Sequence, residues 1–154
     1  MTIATKTKYQ LETFWVPAGQ DENPVYTLTL TNNTDQPLAD FKLCVSGPAR
    51  IDPEATVEGG RLLKRLSNHS EFAPMDGFVL KPGETWTIKA HGMSYHPKHW
   101  TDCANAGYVV LADNNTVRVS VAPTRAKGDK RPARIWACSR AHSSGRWIGA
   151  DNAS

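Results

Sequence analysis

The feature that most constrains the fold of this chain is a strict alternation of apolar and polar residues within short segments. Successive side chains of a β-strand point to opposite faces of a sheet, so a period of two predicts strands with one buried face. In two segments near the N-terminus, the residues predicted to face inward are Tyr9, Leu11, Thr13 and Trp15, then Tyr26, Leu28 and Leu30. No segment shows the 3.6-residue period of an amphipathic helix. The sequence therefore predicts an all-β protein.

Turn-forming residues separate further strand segments. Residues 32–37 are rich in Asn and Asp, and Lys81-Pro-Gly-Glu84 places Pro and Gly at the central positions of a type II turn. We expect strands at 38–46, 78–80, 85–90, 108–113 and 117–121, with a loop over 67–77. The inward residues of these strands are predicted to include Phe41, Leu43, Val45, Trp86 and Ile88. Seven or eight strands at this spacing predict an immunoglobulin-like antiparallel β-sandwich over residues 8–122.

The positive charge of the chain is concentrated near its C-terminus. Residues 125–154 contain seven Lys and Arg against two Asp, whereas the rest contains eleven basic against thirteen acidic residues. The predicted sandwich is therefore mildly acidic, which argues against nucleic-acid binding. The basic segment has neither strand nor helix periodicity, so residues 123–154 are predicted to form a tail of low order.

The composition favours a cytoplasmic location and no membrane partner. No apolar run approaches the roughly 18 residues of a membrane span, and the charged N-terminal residues lack the apolar core of a signal peptide. Cys44, Cys103 and Cys138 form no Cys-x-x-Cys pair, so we interpret them as thiols outside any disulfide. Cys44, in the middle of a predicted strand, is expected to be a small buried side chain.

The segment around His96 offers two kinds of chemistry. His96-Pro-Lys-His99, followed by Asp102 and Cys103, contains zinc-ligand residue types, but the spacing matches no known zinc motif, so we expect a polar loop and no metal. Alternatively, Tyr95, His96, His99 and Trp100 could form a platform on which a sugar ring stacks. These four are the candidate sugar-binding residues, and packing over one end of the sandwich is the competing interpretation.

The sequence predicts no catalytic residue and no cofactor. Asp21 and Glu22 are adjacent acids, and paired carboxylates can hydrolyse glycosides. However, a surface loop between Pro17 and Pro24 offers no apolar surroundings that would keep one acid protonated. Nucleophile-elbow, phosphate-loop and dinucleotide motifs are absent from the sequence.

Several segments, taken together, resemble a known enzyme family. In chain order they are residues 26–38, Glu71-Phe-Ala-Pro74, residues 77–86, Lys98-His-Trp-Thr-Asp102 and Gly107-Tyr-Val-Val-Leu-Ala-Asp113. In this order they resemble the N-terminal β-sandwich domain of bacterial β-N-acetylhexosaminidases of glycoside hydrolase family 20, of the proteobacterial, rhizobial type. The resemblance covers residues 8–122.

The resemblance implies a noncatalytic role in amino-sugar metabolism. In the family, the sandwich precedes a (β/α)8 barrel that carries an Asp-Glu pair within a His-x-Gly-Gly-Asp-Glu context and acts on N-acetylated amino sugars. Asp21-Glu22 lacks that context. The resemblance therefore implies an accessory domain that packs against a catalytic barrel and is inactive by itself.

The change in pattern after Thr124 suggests a hypothesis about the origin of the chain. Where the family continues into its next domain, this sequence becomes rich in Arg, Ala, Ser, Trp and Gly. The hypothesis is that the chain is a truncated product of a hexosaminidase, such as a frameshifted or split reading frame gives. Two other functions stay open: a stand-alone carbohydrate-binding module, and a protein-interaction module that pairs a partner strand with a sheet edge.

Overall fold

The computed structural model describes residues 7–16, 24–47, 54–91 and 103–127. These residues form β-strands and no helix, as the alternation predicts, and none of them belongs to a helix long and apolar enough to cross a membrane. The strands are β1 (Tyr9–Val16), β2 (Val25–Asn32), β3 (Leu38–Ala39), β4 (Lys42–Ser46), β5 (Val57–Glu58), β6 (Arg61–Leu66), β7 (His69–Ala73), β8 (Val79–Leu80), β9 (Thr85–His91), β10 (Ala106–Val110), β11 (Thr116–Val121) and β12 (Arg125–Ala126).

Ten of these strands form one continuous sheet. Its order is β5-β9-β2-β1-β11-β10-β4-β7-β6, and β12 pairs with β1 beyond the end of β11. The pairings of β1 with β11 and with β12 are parallel, and the other described pairings are antiparallel. β3 and β8 form a separate antiparallel pair.

The two ends of the large sheet meet at Gly59 and Gly60. β5 is first in the sheet order and β6 is last, yet only these two glycines separate them in sequence. Gly59 has a φ of +80°, which favours glycine, and a Cβ on Gly60 would lie 2.7 Å from the carbonyl oxygen of Ala73. The indole N–H of Trp86 donates a hydrogen bond of 2.7 Å to the carbonyl oxygen of Gly59. The sheet therefore curls into a nearly barrel-like shape.

The core includes the side chains that the alternation of apolar and polar residues predicts to face inward. All of the residues predicted to face inward are buried: Tyr9, Leu11, Thr13, Trp15, Tyr26, Leu28, Leu30, Phe41, Leu43, Val45, Trp86 and Ile88. Trp86 makes an edge-to-face contact with Phe41, with ring centroids 5.2 Å apart. Cys44 is also buried, as predicted, although it points away from this core.

Asn32 joins two turns at the end of β2. Its side-chain amide nitrogen donates to the carbonyl oxygens of Gln36 at 2.9 Å and Leu80 at 3.0 Å, while its side-chain oxygen accepts from the backbone N–H and hydroxyl of Thr34. Its backbone carbonyl accepts from Gly83, which has the φ of +80° that a type II turn requires. The turns predicted at 32–37 and 81–84 are therefore confirmed, and one buried residue holds them together.

Three predicted element boundaries are wrong. The strand predicted at 108–113 is β10, which begins at Ala106 and ends at Val110, because the chain turns at Asn114, with a φ of 66°. The segment 38–46 is not one strand, because Asp40 has a φ of 48° and separates β3 from β4. The segment 67–77 is not a loop, because β7 (His69–Ala73) lies within it and pairs with β4 and β6. A turn at Ser67, with a φ of 53°, connects β6 to β7.

The last residue of the predicted sandwich and the first residues of the predicted tail pack against β1. The backbone N–H of Ala122 donates to the carbonyl oxygen of Leu11 at 2.9 Å, and that of Lys127 donates to Trp15 at 2.8 Å. Thr124 is buried. β-structure therefore continues to Ala126, beyond the boundary predicted at residue 122, and residues 128–154 lie outside the described residues.

We predict that Gly60→Ala destabilises the fold by about 1–3 kcal/mol, because the added Cβ overpacks a site with no free space. That Cβ would meet the carbonyl oxygen of Ala73 at 2.7 Å and the Trp86 ring at 3.0 Å. Gly107→Ala is the matched control, since its Cβ would lie 3.3 Å from the nearest atom, the carbonyl oxygen of Cys44. Urea unfolding followed by circular dichroism measures both losses, and equal losses would contradict this view of the closure.

Candidate functional site

The residues whose chemistry the sequence analysis weighed lie outside the described part of the chain. This holds for the candidate sugar-binding residues and for the adjacent acids, namely Tyr95, His96, His99, Trp100, Asp21 and Glu22. The sugar platform therefore stays a prediction. Cys103, from the end of the same segment, is described and half-buried, and neither it nor Cys44 forms a disulfide.

The sheet brings together a different cluster of ionisable side chains on β4, β7 and β10. The strand register places Cys44 directly opposite Tyr108 on β10 and directly opposite Glu71 on β7. His69 precedes Glu71 by two residues and therefore shares its face of the sheet. The alternate residues of these strands point into the core, so this group lies on the outer face. We call Cys44, His69, Glu71 and Tyr108 the Cys44 cluster.

The side chains of the Cys44 cluster are in close contact. The potential ligand atoms of Cys44, His69 and Glu71 all lie within 4.8 Å of one another, and His69 Nε2 lies 3.5 Å from Glu71 Oε1. The rings of His69 and Tyr108 stack at an interplanar angle of 24°, with centroids 6.2 Å apart. Cys44 is only 2% exposed despite its position on the outer face, while the side chains of His69 and Glu71 remain partly open to solvent.

Burial raises the pKa values of two members of this cluster, Cys44 and Tyr108. It raises the pKa of the Cys44 thiol, and the side-chain hydrogen bond with Tyr108 opposes this effect while the charge of Glu71 adds to it. The pKa of Tyr108 is raised by burial and by its proximity to Cys44. The thiol therefore stays protonated near neutral pH, which disfavours a role as a nucleophile. Cysteine, histidine and carboxylate side chains are, however, the ligand types that zinc uses.

A second group of polar side chains lies inside the core around Tyr26. The Tyr26 hydroxyl accepts a hydrogen bond of 3.1 Å from the backbone N–H of Ala104 and lies 3.1 Å from Thr124 Oγ1. Thr124 Oγ1 lies in turn 2.6 Å from Thr13 Oγ1. Burial, partly opposed by these hydrogen bonds, raises the pKa of Tyr26 to about 12. This group fastens the segments around residues 104 and 124 to β1 and β2, and its side chains are buried.

No Asp or Glu side chain is fully buried among the described residues. The buried polar side chains there are Thr13, Asn32, Ser70 and Thr124. Among its described residues, the sheet therefore provides a scaffold and the Cys44 cluster.

Two solved structures have a fold related to that of this chain. One is a GH20 exo-β-N-acetylglucosaminidase from Vibrio harveyi in complex with N-acetylglucosamine, and the other is an inactive mutant of that enzyme. Each matches 82% of this chain with a TM-score of 0.66 and 21% sequence identity, and each match covers 20% of the solved chain. This chain thus spans about one fifth of the length of those enzymes. No protein-family profile and no curated protein matches it.

We predict that Tyr26→Phe lowers the free energy of unfolding at neutral pH by about 1–3 kcal/mol, because it leaves the buried Ala104 N–H without its acceptor. The effect should shrink in alkali. The folded state holds the Tyr26 proton up to a pKa of about 12, against 10.0 for an ordinary tyrosine, so the native protein loses stability as the pH rises from 10 to 12.

Urea unfolding of both proteins between pH 8 and pH 12 measures this difference. The wild type should lose up to about 3 kcal/mol more than the variant across that range, as a shift of two pKa units implies. The raised pKa values of Cys44 and Tyr108 are common to both proteins and cancel in the comparison. If the free energies of unfolding of the two proteins fall in parallel as the pH rises, the raised pKa of Tyr26 would be contradicted.

Proposed function

We propose that this chain is a noncatalytic accessory domain of a β-N-acetylhexosaminidase of glycoside hydrolase family 20, in which it packs as an immunoglobulin-like β-sandwich against a catalytic barrel. The observation that carries the proposal is the extent of the structural match. It covers most of this chain but only one fifth of the Vibrio harveyi enzyme. The related fold therefore corresponds to a part of a glycosidase, and the N-terminal position of that part is an element of the proposal.

The lack of suitable acids in the described residues supports a noncatalytic role. The described residues contain no buried Asp or Glu that could act as a general acid. In this proposal, the chemistry on N-acetylated amino sugars belongs to the barrel, and this chain contributes a folded support.

Exposed leucines on β6 offer a surface for such a partner. Leu63 and Leu66 are 44% and 57% exposed, and they lie on the last strand of the sheet order. Pairing of a partner strand with this edge is disfavoured, because β6 contains Lys64 and Arg65 and a bulge between Leu62 and Lys64. The opposite end of the sheet, β5, has only two residues. These features favour contact through side chains over addition of a strand.

The sugar-binding role of Tyr95, His96, His99 and Trp100 stays a prediction. Two further tryptophans, Trp15 and Trp86, are buried in the core and are not accessible to a sugar ring. Trp15 and Trp86 therefore contribute to the core and not to a sugar-stacking surface.

A domain exchange tests the accessory role. We predict that the Vibrio harveyi enzyme folds and hydrolyses a chromogenic N-acetylglucosaminide when residues 8–127 of this chain replace its structurally matching fifth. Deletion of that fifth should instead give an insoluble or unstable enzyme, because the partner surface of the barrel would be exposed to water. A chimera that behaves like the deletion would contradict the proposal.

Variants of the chimera locate the contact. The double substitution Leu63→Asp and Leu66→Asp should lower its melting temperature, because it would place charges in an apolar interface. Met75→Asp is the matched control, since Met75 is also an exposed apolar residue, at 58%, and lies outside β6. Equal effects of the two changes would exclude β6 as the contact surface.

A further inference from the structure

We propose that the Cys44 cluster binds a divalent transition-metal ion, with zinc as the ion that its ligand set fits best. The ligands are Cys44 Sγ, one imidazole nitrogen of His69 and one carboxylate oxygen of Glu71. Zinc sites with three protein ligands and one open position use these residue types, and Mg²⁺ and Ca²⁺ use oxygen ligands instead. This proposed metal binding does not depend on any glycosidase activity.

The distances in the cluster are close to those of a metal site. Bonds of 2.0–2.3 Å in a tetrahedral zinc site place neighbouring ligand atoms roughly 3.3–3.8 Å apart. His69 Nε2 and Glu71 Oε1 are already 3.5 Å apart. The three ligand atoms lie within 4.8 Å of one another. Side-chain rotations that shift these atoms by about 1 Å would therefore give the spacing of a tetrahedral zinc site without moving the backbone.

The sheet holds the ligands in a fixed arrangement. β4 is an interior strand, paired with β10 on one side and β7 on the other, and Cys44 and Glu71 are direct partners in that register. His69 is on the same strand as Glu71, so two adjacent strands supply all three ligands. Sites built on paired strands keep their geometry better than sites built on loops.

The charges of the cluster suit a divalent cation. A Cys44 thiolate and the Glu71 carboxylate together carry two negative charges, which neutralise one Zn²⁺ in half-buried surroundings, while His69 binds as a neutral imidazole. Metal binding displaces the thiol proton. Tyr108, through its side-chain hydrogen bond to Cys44 and its ring contact with His69, would orient two of the ligands.

Basic residues border the cluster on three strands. Lys42 precedes Cys44 by two residues on β4, and its charge partly opposes the rise in the pKa of Cys44. Lys64 lies opposite Glu71 on β6, and Arg118 lies opposite Tyr108 on β11. All three residues are exposed, so their long side chains can extend into water and leave the site open. The competing interpretation is that the cluster is complete without a metal, with an ion pair between His69 and Glu71 and a hydrogen bond between Cys44 and Tyr108.

Titration of the full-length, reduced and metal-free chain with Co²⁺ distinguishes the two interpretations. We expect saturation at one ion per chain, with the near-ultraviolet absorption of a thiolate–cobalt bond, and displacement of cobalt by Zn²⁺. Substitutions Cys44→Ala, His69→Gln and Glu71→Gln should each weaken binding by at least about tenfold, since even residues outside the first ligand shell contribute that much. Zn²⁺ should also raise the unfolding midpoint of the wild type and not that of Cys44→Ala.

Two controls separate this site from other histidines and cysteines. His91→Gln changes a comparable histidine that lies 3.1 Å from Glu58 on β5, but without a cysteine, and it should leave binding unchanged. The triple variant His96→Gln, His99→Gln and Cys103→Ser removes the candidate ligands of the 96–103 segment and should also retain binding. Circular dichroism establishes that each variant is folded. No thiolate–cobalt band, or a band lost in the triple variant and kept in Cys44→Ala, would overturn the proposal.

Discussion

The closure of the sheet at Gly59 and Gly60 is the constraint on which the rest of the structure depends. The chain passes there from the first strand of the sheet order to the last, and the Trp86 indole fixes the passage by its hydrogen bond to the Gly59 carbonyl. The same ring packs against Phe41 and Phe78, so one side chain joins the closure to the core. β5 and β6 remain the first and last strands of the sheet order, and the passage holds these two ends close together.

The alternation of residues was sufficient to predict the strands whose inner faces are apolar. β1, β2 and β9 have an apolar or aromatic residue at nearly every second position, and burial follows that pattern. β7 was missed because its inward positions are Ser70 and Phe72, which give only one apolar residue. The hydroxyl of Ser70 is buried and has no hydrogen-bond partner among the described residues. Such a position follows from tertiary packing, which local patterns do not contain.

The Cys44 cluster could not be predicted for a related reason. Cys44, Glu71 and Tyr108 become neighbours only through the register of three strands that are far apart in sequence. The sequence drew attention to the segment 96–103 instead, where the histidines and a cysteine are close together along the chain. Strand pairing brings distant residues together, so spacing along the chain is a poor guide to sites on a sheet. In the proposed account, the core serves folding, β6 serves docking, and the outer face of β4 and β7 holds a metal.

The most direct test of the central claim, that this chain supports a glycosidase without performing its reaction, is an assay of the purified chain on a chromogenic N-acetylglucosaminide. The account predicts no turnover above that of a mock purification. The variant Asp21→Asn with Glu22→Gln, which removes the adjacent acids of the sequence, distinguishes contamination from genuine activity. Turnover that co-purifies with the chain and disappears in this variant would contradict the account.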